Sequence, residues 1–169
     1  MTLAKQILLA TLAVLSAQMV NAEDMIPTAD TGLGEWHAPC DAWGVPATCT
    51  TTWSKGKHDS HLVQEYSIVS VADNVPIFSG RGLYRIVDGQ VEGVWEDSRG
   101  EILQLAGTYE NGTLKVIWGD ASSEIGRSVY RFADGRMQAR DSVLTDDGWR
   151  EFMAIDYQRT STPGSELQP

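Results

Sequence analysis

The chain has 169 residues, 23 of them acidic and 13 basic, for a formal net charge of −10. That balance excludes the basic footprint that nucleic acids and anionic membrane surfaces require, and a total of two cysteines excludes a disulfide-dense miniature scaffold. A hydrophobic fraction of 42% over this length suffices for one domain with its own core.

In chain order, residues 1–22 read as a secretory signal peptide. Lys5 supplies the positive start, Ile7 to Leu15 the apolar centre, and Val20-Asn21-Ala22 the small-residue cleavage site. The apolar run falls short of the roughly 20 residues that span a bilayer. The expectation is therefore a periplasmic or secreted chain that begins at Glu23 and does not insert in a membrane after cleavage. Residues 23–35 contain Pro and Gly without a period and predict a flexible lead-in, with 160–169 as a matching disordered tail.

Residues 36–159 predict a single β-barrel domain. Its first part, Trp36 to Cys49, shows no regular period and predicts an irregular segment that caps or plugs one end of the sheet. Cys40 and Cys49 lie within it. In an oxidising compartment a lone pair is most simply a disulfide, and the CxxC spacing of a redox or metal pair is absent.

Strand-like alternation follows at Thr50 to Lys55, His61 to Val71, Ile77 to Val87, Gln90 to Glu96 and Ile102 to Tyr109. It continues at Thr113 to Trp118, Arg127 to Phe132, Arg136 to Leu144 and Trp149 to Gln158. The turn signals Asp88-Gly89, Arg99-Gly100, Asn111-Gly112, Asp134-Gly135 and Asp147-Gly148 separate these runs, and Asn-Gly is the strongest of them. Short connections make sequence neighbours spatial neighbours. The fold class is therefore all-β, an antiparallel up-and-down meander that closes into a barrel of about 8 to 10 strands, because closure removes exposed edges. The longest loop of the second half, Gly119 to Gly126, is the expected rim or lid.

Alternation also assigns faces. One phase holds Tyr84, Trp95, Trp118, Tyr130, Phe132 and Met137, then Asp141, Trp149, Glu151 and Met153; the opposite phase is rich in Arg, Glu and Gln. The first phase is the expected interior, and its aromatic rings are the expected ligand-binding wall. Acids at interior phase, Asp97, Asp141 and Glu151, are costly unless they meet water, a partner or a ligand. Asp97 adjoins a turn and reads as a turn cap. Asp141 and Glu151 flank the last hairpin and are expected to face each other, which would suit an acid/base pair with Tyr84 or Tyr130 polarising an oxygen.

His58-Asp59-Ser60-His61 reads as a solvated hairpin loop, because no third ligand stands at a metal-supporting spacing. His37 stands alone beside Trp36; no metal and no cofactor is expected. Gly80-Arg81-Gly82-Leu83-Tyr84-Arg85 and Gly126-Arg127-Ser128-Val129-Tyr130-Arg131 repeat one pattern. The simpler account is that both glycines ease the coiling of the sheet. The alternative has both tyrosines as inward donors and an arginine reaching over the rim.

Phe78-Ser-Gly-Arg-Gly-Leu-Tyr84, Gly93-Val-Trp-Glu-Asp-Ser98 and Tyr157 at the end of the last strand resemble the calycin superfamily of lipocalin-like and fatty-acid-binding-like barrels, and within it uncharacterised bacterial domains of the DUF1579 kind. The resemblance implies a container for a small apolar or amphipathic molecule, acting as monomer or homodimer. Two alternatives stand beside it: a lyase, isomerase or cyclase using Asp141 and Glu151, and an envelope or interaction protein with a filled core.

Overall fold

The computed structural model describes residues 32–120 and 124–160. The expected signal peptide, residues 23–31 of the lead-in, residues 161–169 of the tail and the centre of the Gly119 to Gly126 loop lie outside the described residues. Ten strands run in order: β1 (Gly34–Ala42), β2 (Val45–Lys55), β3 (His61–Ser70), β4 (Pro76–Val87), β5 (Gln90–Asp97), β6 (Ile102–Glu110), β7 (Thr113–Trp118), β8 (Gly126–Ala133), β9 (Arg136–Thr145) and β10 (Gly148–Arg159). Each pairs antiparallel with its sequence neighbours, and β1 also pairs with β10, so the meander closes into a barrel. No helix among the described residues is long and apolar enough to cross a membrane.

The tight turns behave as their residues require. Asp88-Gly89, Asn111-Gly112 and Asp134-Gly135 all have positive φ at both central positions (50° and 71°, 50° and 71°, 52° and 68°), the geometry whose twist matches that of the flanking strands.

Trp36 to Cys49 differs from expectation. It is not irregular but forms most of the first hairpin, with a register running from Gly34↔Trp53 to Ala42↔Val45. Its turn is Trp43-Gly44, with Trp43 at φ 54°, a conformation that tryptophan rarely adopts, held by a 2.7 Å hydrogen bond from the Gly44 N–H to Asp41 Oδ1. Cys40 and Cys49 form a disulfide across this hairpin. Gly34 and Glu35, expected in the lead-in, begin β1, and Thr160 donates its N–H to the Glu35 carbonyl at 2.9 Å.

One end of the barrel is packed solid. Trp53, 1% exposed, stands at its centre with ring contacts to Tyr130 (5.1 Å), Tyr84 (5.4 Å) and Phe132 (5.5 Å). Trp36, Leu62, Leu114 and Met137 are fully buried around it. The base is sealed where Arg159 lies 4.4 Å from the Trp36 ring centre and donates to the Leu33 carbonyl, while Trp36 Nε1 donates to Gly32 O at 3.0 Å. The large fully buried side chains Trp36, Trp53, Leu62, Leu114 and Met137 therefore sit at the end where β1 begins. The other end is left open.

Candidate functional site

Above the packed half, the barrel holds a cavity of about 380 Å³. Trp95, Trp118, Leu103, Leu105, Val116 and Met153 form its walls, and Gln64, Tyr84, Tyr130, Ala139, Asp141 and Tyr157 its floor. The mouth carries Trp43, Phe78, Arg99, Glu124, Arg150 and Phe152. Trp43 is 71% exposed and meets Phe78 edge to face at 6.4 Å, and Arg99 stacks on the same Phe78 ring.

The repeated glycine-arginine pattern has a structural cause in this wall. A Cβ at Gly80 would fall inside the Trp95 indole, and one at Gly126 inside the Trp118 indole. Each glycine thus clears the bed on which one cavity-facing tryptophan lies, and the tyrosine four residues on, Tyr84 or Tyr130, supplies a floor hydroxyl. The arginines of the pattern do not reach over the rim. Arg81 pairs with Glu65 and Arg85 with Glu92 on the outer face, and Arg127 lies over the outward Trp149 ring.

The floor is polar and closed to solvent. The Tyr84 hydroxyl donates to Gln64 Oε1 at 2.6 Å, and Gln64 Nε2 donates to Thr51 Oγ1 at 3.2 Å. Tyr130 lies within hydrogen-bonding reach of Gln64, Ser128 and Tyr84. Trp118 Nε1 donates to Ser128 Oγ at 3.2 Å. The Tyr66 hydroxyl lies 3.3 Å from Cys49 Sγ and 3.6 Å from Met153 Sδ, both weak acceptors. Desolvation pushes the hydroxyls of Tyr66, Tyr84, Tyr130 and Tyr157 well up, with the charge of Asp141 adding to it, so they remain protonated donors.

Asp141 is 6% exposed, hydrogen-bonded by Ser128, and its buried Oδ1 has no partner. Desolvation raises its pKa from 3.8 to about 6, against the Ser128 hydrogen bond and with help from the charge of Glu151. The native chain therefore holds this proton more tightly than the unfolded one. The resulting stabilisation is complete below about pH 4, is lost as pH rises through about 6, and amounts to roughly 3 kcal/mol. Asp141→Asn is expected to remove that slope, gaining on the wild type by this amount between pH 4 and pH 8 in urea unfolding. Parallel pH profiles for the two proteins would contradict the assignment.

The sequence-derived site residues divide into three groups. Tyr84, Trp95, Trp118, Tyr130, Asp141 and Met153 all line the cavity. Phe132 and Met137 point inward but lie in the packed half, below the floor. Trp149 and Glu151, expected inside, are exposed on the outer face. The cause is a shift of register in β10 between Glu151 and Met153, opposite Ser142 and Asp141 of β9. An extra residue there inverts the alternation, so Arg150 and Phe152 reach the cavity instead. Asp141 and Glu151 thus do not share a cavity, and the acid/base pair expected of them does not assemble.

Asp97 caps its turn, accepting from the Arg99 N–H at 2.8 Å and from the Arg99 guanidinium; these bonds outweigh desolvation and hold its carboxyl below the usual range. His37 is exposed on β1 and bonds Thr160 Oγ1 at 3.1 Å, so it faces away from the interior. The ring of His58, in the loop between β2 and β3, lies 5.3 Å from that of His61, the first residue of β3, and among the described residues no group of three His, Cys, Asp or Glu side chains is placed to hold a metal ion.

Sequence reasoning missed Gln64 and Tyr66. The signal was available, since Leu62, Gln64, Tyr66 and Ile68 alternate along β3 and a glutamine at interior phase is unusual for a packed core.

No family model matches the chain, and no curated protein matches it in sequence. Among solved structures it is similar to Rv2717c from Mycobacterium tuberculosis, with a TM-score of 0.55 and 16% identity over 76% of this chain and 92% of that one. At that identity the likeness establishes the barrel fold and nothing finer.

Proposed function

We propose that the chain is an exported, calycin-like barrel that binds one small, largely apolar molecule through the open end of its interior. The observation that carries this reading is the uneven filling of the barrel: one half is packed, while the other holds a cavity of about 380 Å³ with aromatic walls and a few convergent polar groups on its floor. Such a lining in the range of about 300 to 1,000 Å³ is characteristic of small-molecule sites. The Cys40–Cys49 disulfide supports an oxidising compartment, periplasmic or extracellular. The separation of Asp141 from Glu151 removes the carboxylate pair on which the lyase or isomerase alternative relied.

Titration of the chain with a panel of lipophiles, followed by tryptophan fluorescence, tests the reading. Trp95 and Trp118 face the cavity, so a saturable change at one equivalent is expected. The matching variant Leu105→Trp, which fills the cavity, is expected to lose it. A response that never saturates, or one that Leu105→Trp leaves intact, would count against binding inside the barrel.

A further inference from the structure

We infer that the cavity floor takes the ammonium head of an amphipathic amine, with Asp141 as its counter-ion. This rests on the barrel being a ligand container and adds the class of ligand. Asp141 contributes its carboxylate to the floor, Ser128 bonds it from one side, and the buried Oδ1 is unpartnered. An ionised carboxylate removed from water without a counter-charge is strongly disfavoured, and a site built this way is completed by a donor that brings positive charge.

None of the described cations of the chain answers it. Arg81, Arg85 and Arg140 pair with Glu65, Glu92 and Asp156 on the outer face. Arg99 and Arg150 line the same cavity, but Arg99 is already bonded to Asp97 and Arg150 makes no hydrogen bond to the buried Asp141 Oδ1. Ser128 of β8 and the outward Glu151 of β10 act on Asp141, and the charge of Asp141 in turn acts on the hydroxyls of Tyr66 from β3, Tyr84 from β4, Tyr130 from β8 and Tyr157 from β10; none of these groups is a cation.

The surroundings suit a cation in two further ways. Aromatic faces attract an ammonium group by their quadrupole, and the walls and floor here are indole and phenol rings. The net charge of −10 favours the approach of cations and opposes that of anions. A fatty-acid carboxylate at the same depth would face Asp141 as a like charge. An alkyl amine places its chain between Trp95 and Trp118 and its N–H donors on the Asp141 carboxylate.

Calorimetric titration of the full chain with octylamine, octanol and octanoate tests the assignment, since the three share a tail and differ in the head. At pH 8 octylamine is expected to bind about 10- to 100-fold more tightly than octanol, the range a charge-assisted hydrogen bond supplies. The ratio should fall towards one at pH 4.5, where Asp141 takes up a proton while the amine stays charged. Asp141→Asn should abolish the preference at both pH values, with its near-UV circular dichroism showing that the barrel is intact; the wild-type pH series stands if that variant does not fold. Equal affinity for amine and alcohol at pH 8, a preference for octanoate, or an amine preference that does not change with pH overturns the assignment while leaving the container intact. Binding of none of the three overturns both.

Discussion

Gly126→Val is expected to abolish ligand uptake and to lower stability by about 1 to 3 kcal/mol, the range for overpacking a well-filled site. Gly126 pairs directly with Trp118, and the Trp118 ring occupies the space that any side chain at this position would take. A side chain there displaces the ring, which lines the cavity and donates to Ser128 Oγ, so the substitution disturbs both the wall and the floor hydrogen bond. Removing the ring as well should relieve the clash. The double variant Gly126→Val with Trp118→Leu is therefore expected to recover the lost stability, and a coupling energy between the two sites, read from urea midpoints, measures it. Additive losses would show that glycine is needed there for the backbone alone. Gly80→Val should act in the same way through Trp95.

Trp53→Ala is expected to have the largest effect on folding, costing about 3 to 5 kcal/mol. The indole touches Tyr84, Tyr130 and Phe132 and is almost wholly buried. Its loss opens a void under the floor and frees two tyrosines whose hydroxyls line the cavity, so any binding that survives should also weaken. Trp53→Phe is the informative comparison. Trp53 Nε1 is buried without a partner, and phenylalanine removes that unsatisfied donor along with part of the ring, so its cost should be well below that of alanine. Unfolding midpoints in urea for the two variants decide it; equal losses would show that the indole is not the centre of the packed half.

The hairpins β4–β5, β6–β7 and β8–β9 were legible in the sequence because each is joined by a residue pair that makes its turn cheap. Asp88-Gly89, Asn111-Gly112 and Asp134-Gly135 adopt the positive φ values that those residue types tolerate. The first hairpin was not legible for the same reason inverted. Its turn places a tryptophan at positive φ, which no propensity favours, and Pro39 and Pro46 interrupt the strand pattern on either side. Pro39 lies beyond Trp36 and His37, where β1 pairs with β10, on the stretch of β1 that tolerates a missing donor.

The site divides along similar lines. Strict alternation identified Asp141, Tyr84, Tyr130, Trp95 and Trp118 as inward, because β4, β5, β7, β8 and β9 carry no shift of register through those positions. It misplaced Trp149 and Glu151 because one extra residue in β10 inverts the phase, and no residue type in Glu151-Phe152-Met153 announces a bulge. The duplicated glycine-arginine pattern was visible, but its purpose depends on which ring lies over each glycine. That is a cross-strand relation which a single strand's sequence does not contain.

The most direct test of a binding cavity above a packed floor is the set of indole N–H resonances, since the chain has six tryptophans distributed across every relevant environment. Trp95 and Trp118 line the cavity, Trp36 and Trp53 lie in the packed half, and Trp149 faces outward. On addition of octylamine, the Trp95 and Trp118 signals are expected to shift together with one dissociation constant while those of Trp36 and Trp149 stay in place. Shifts led by Trp149, or none that saturates, would contradict a ligand held inside this barrel.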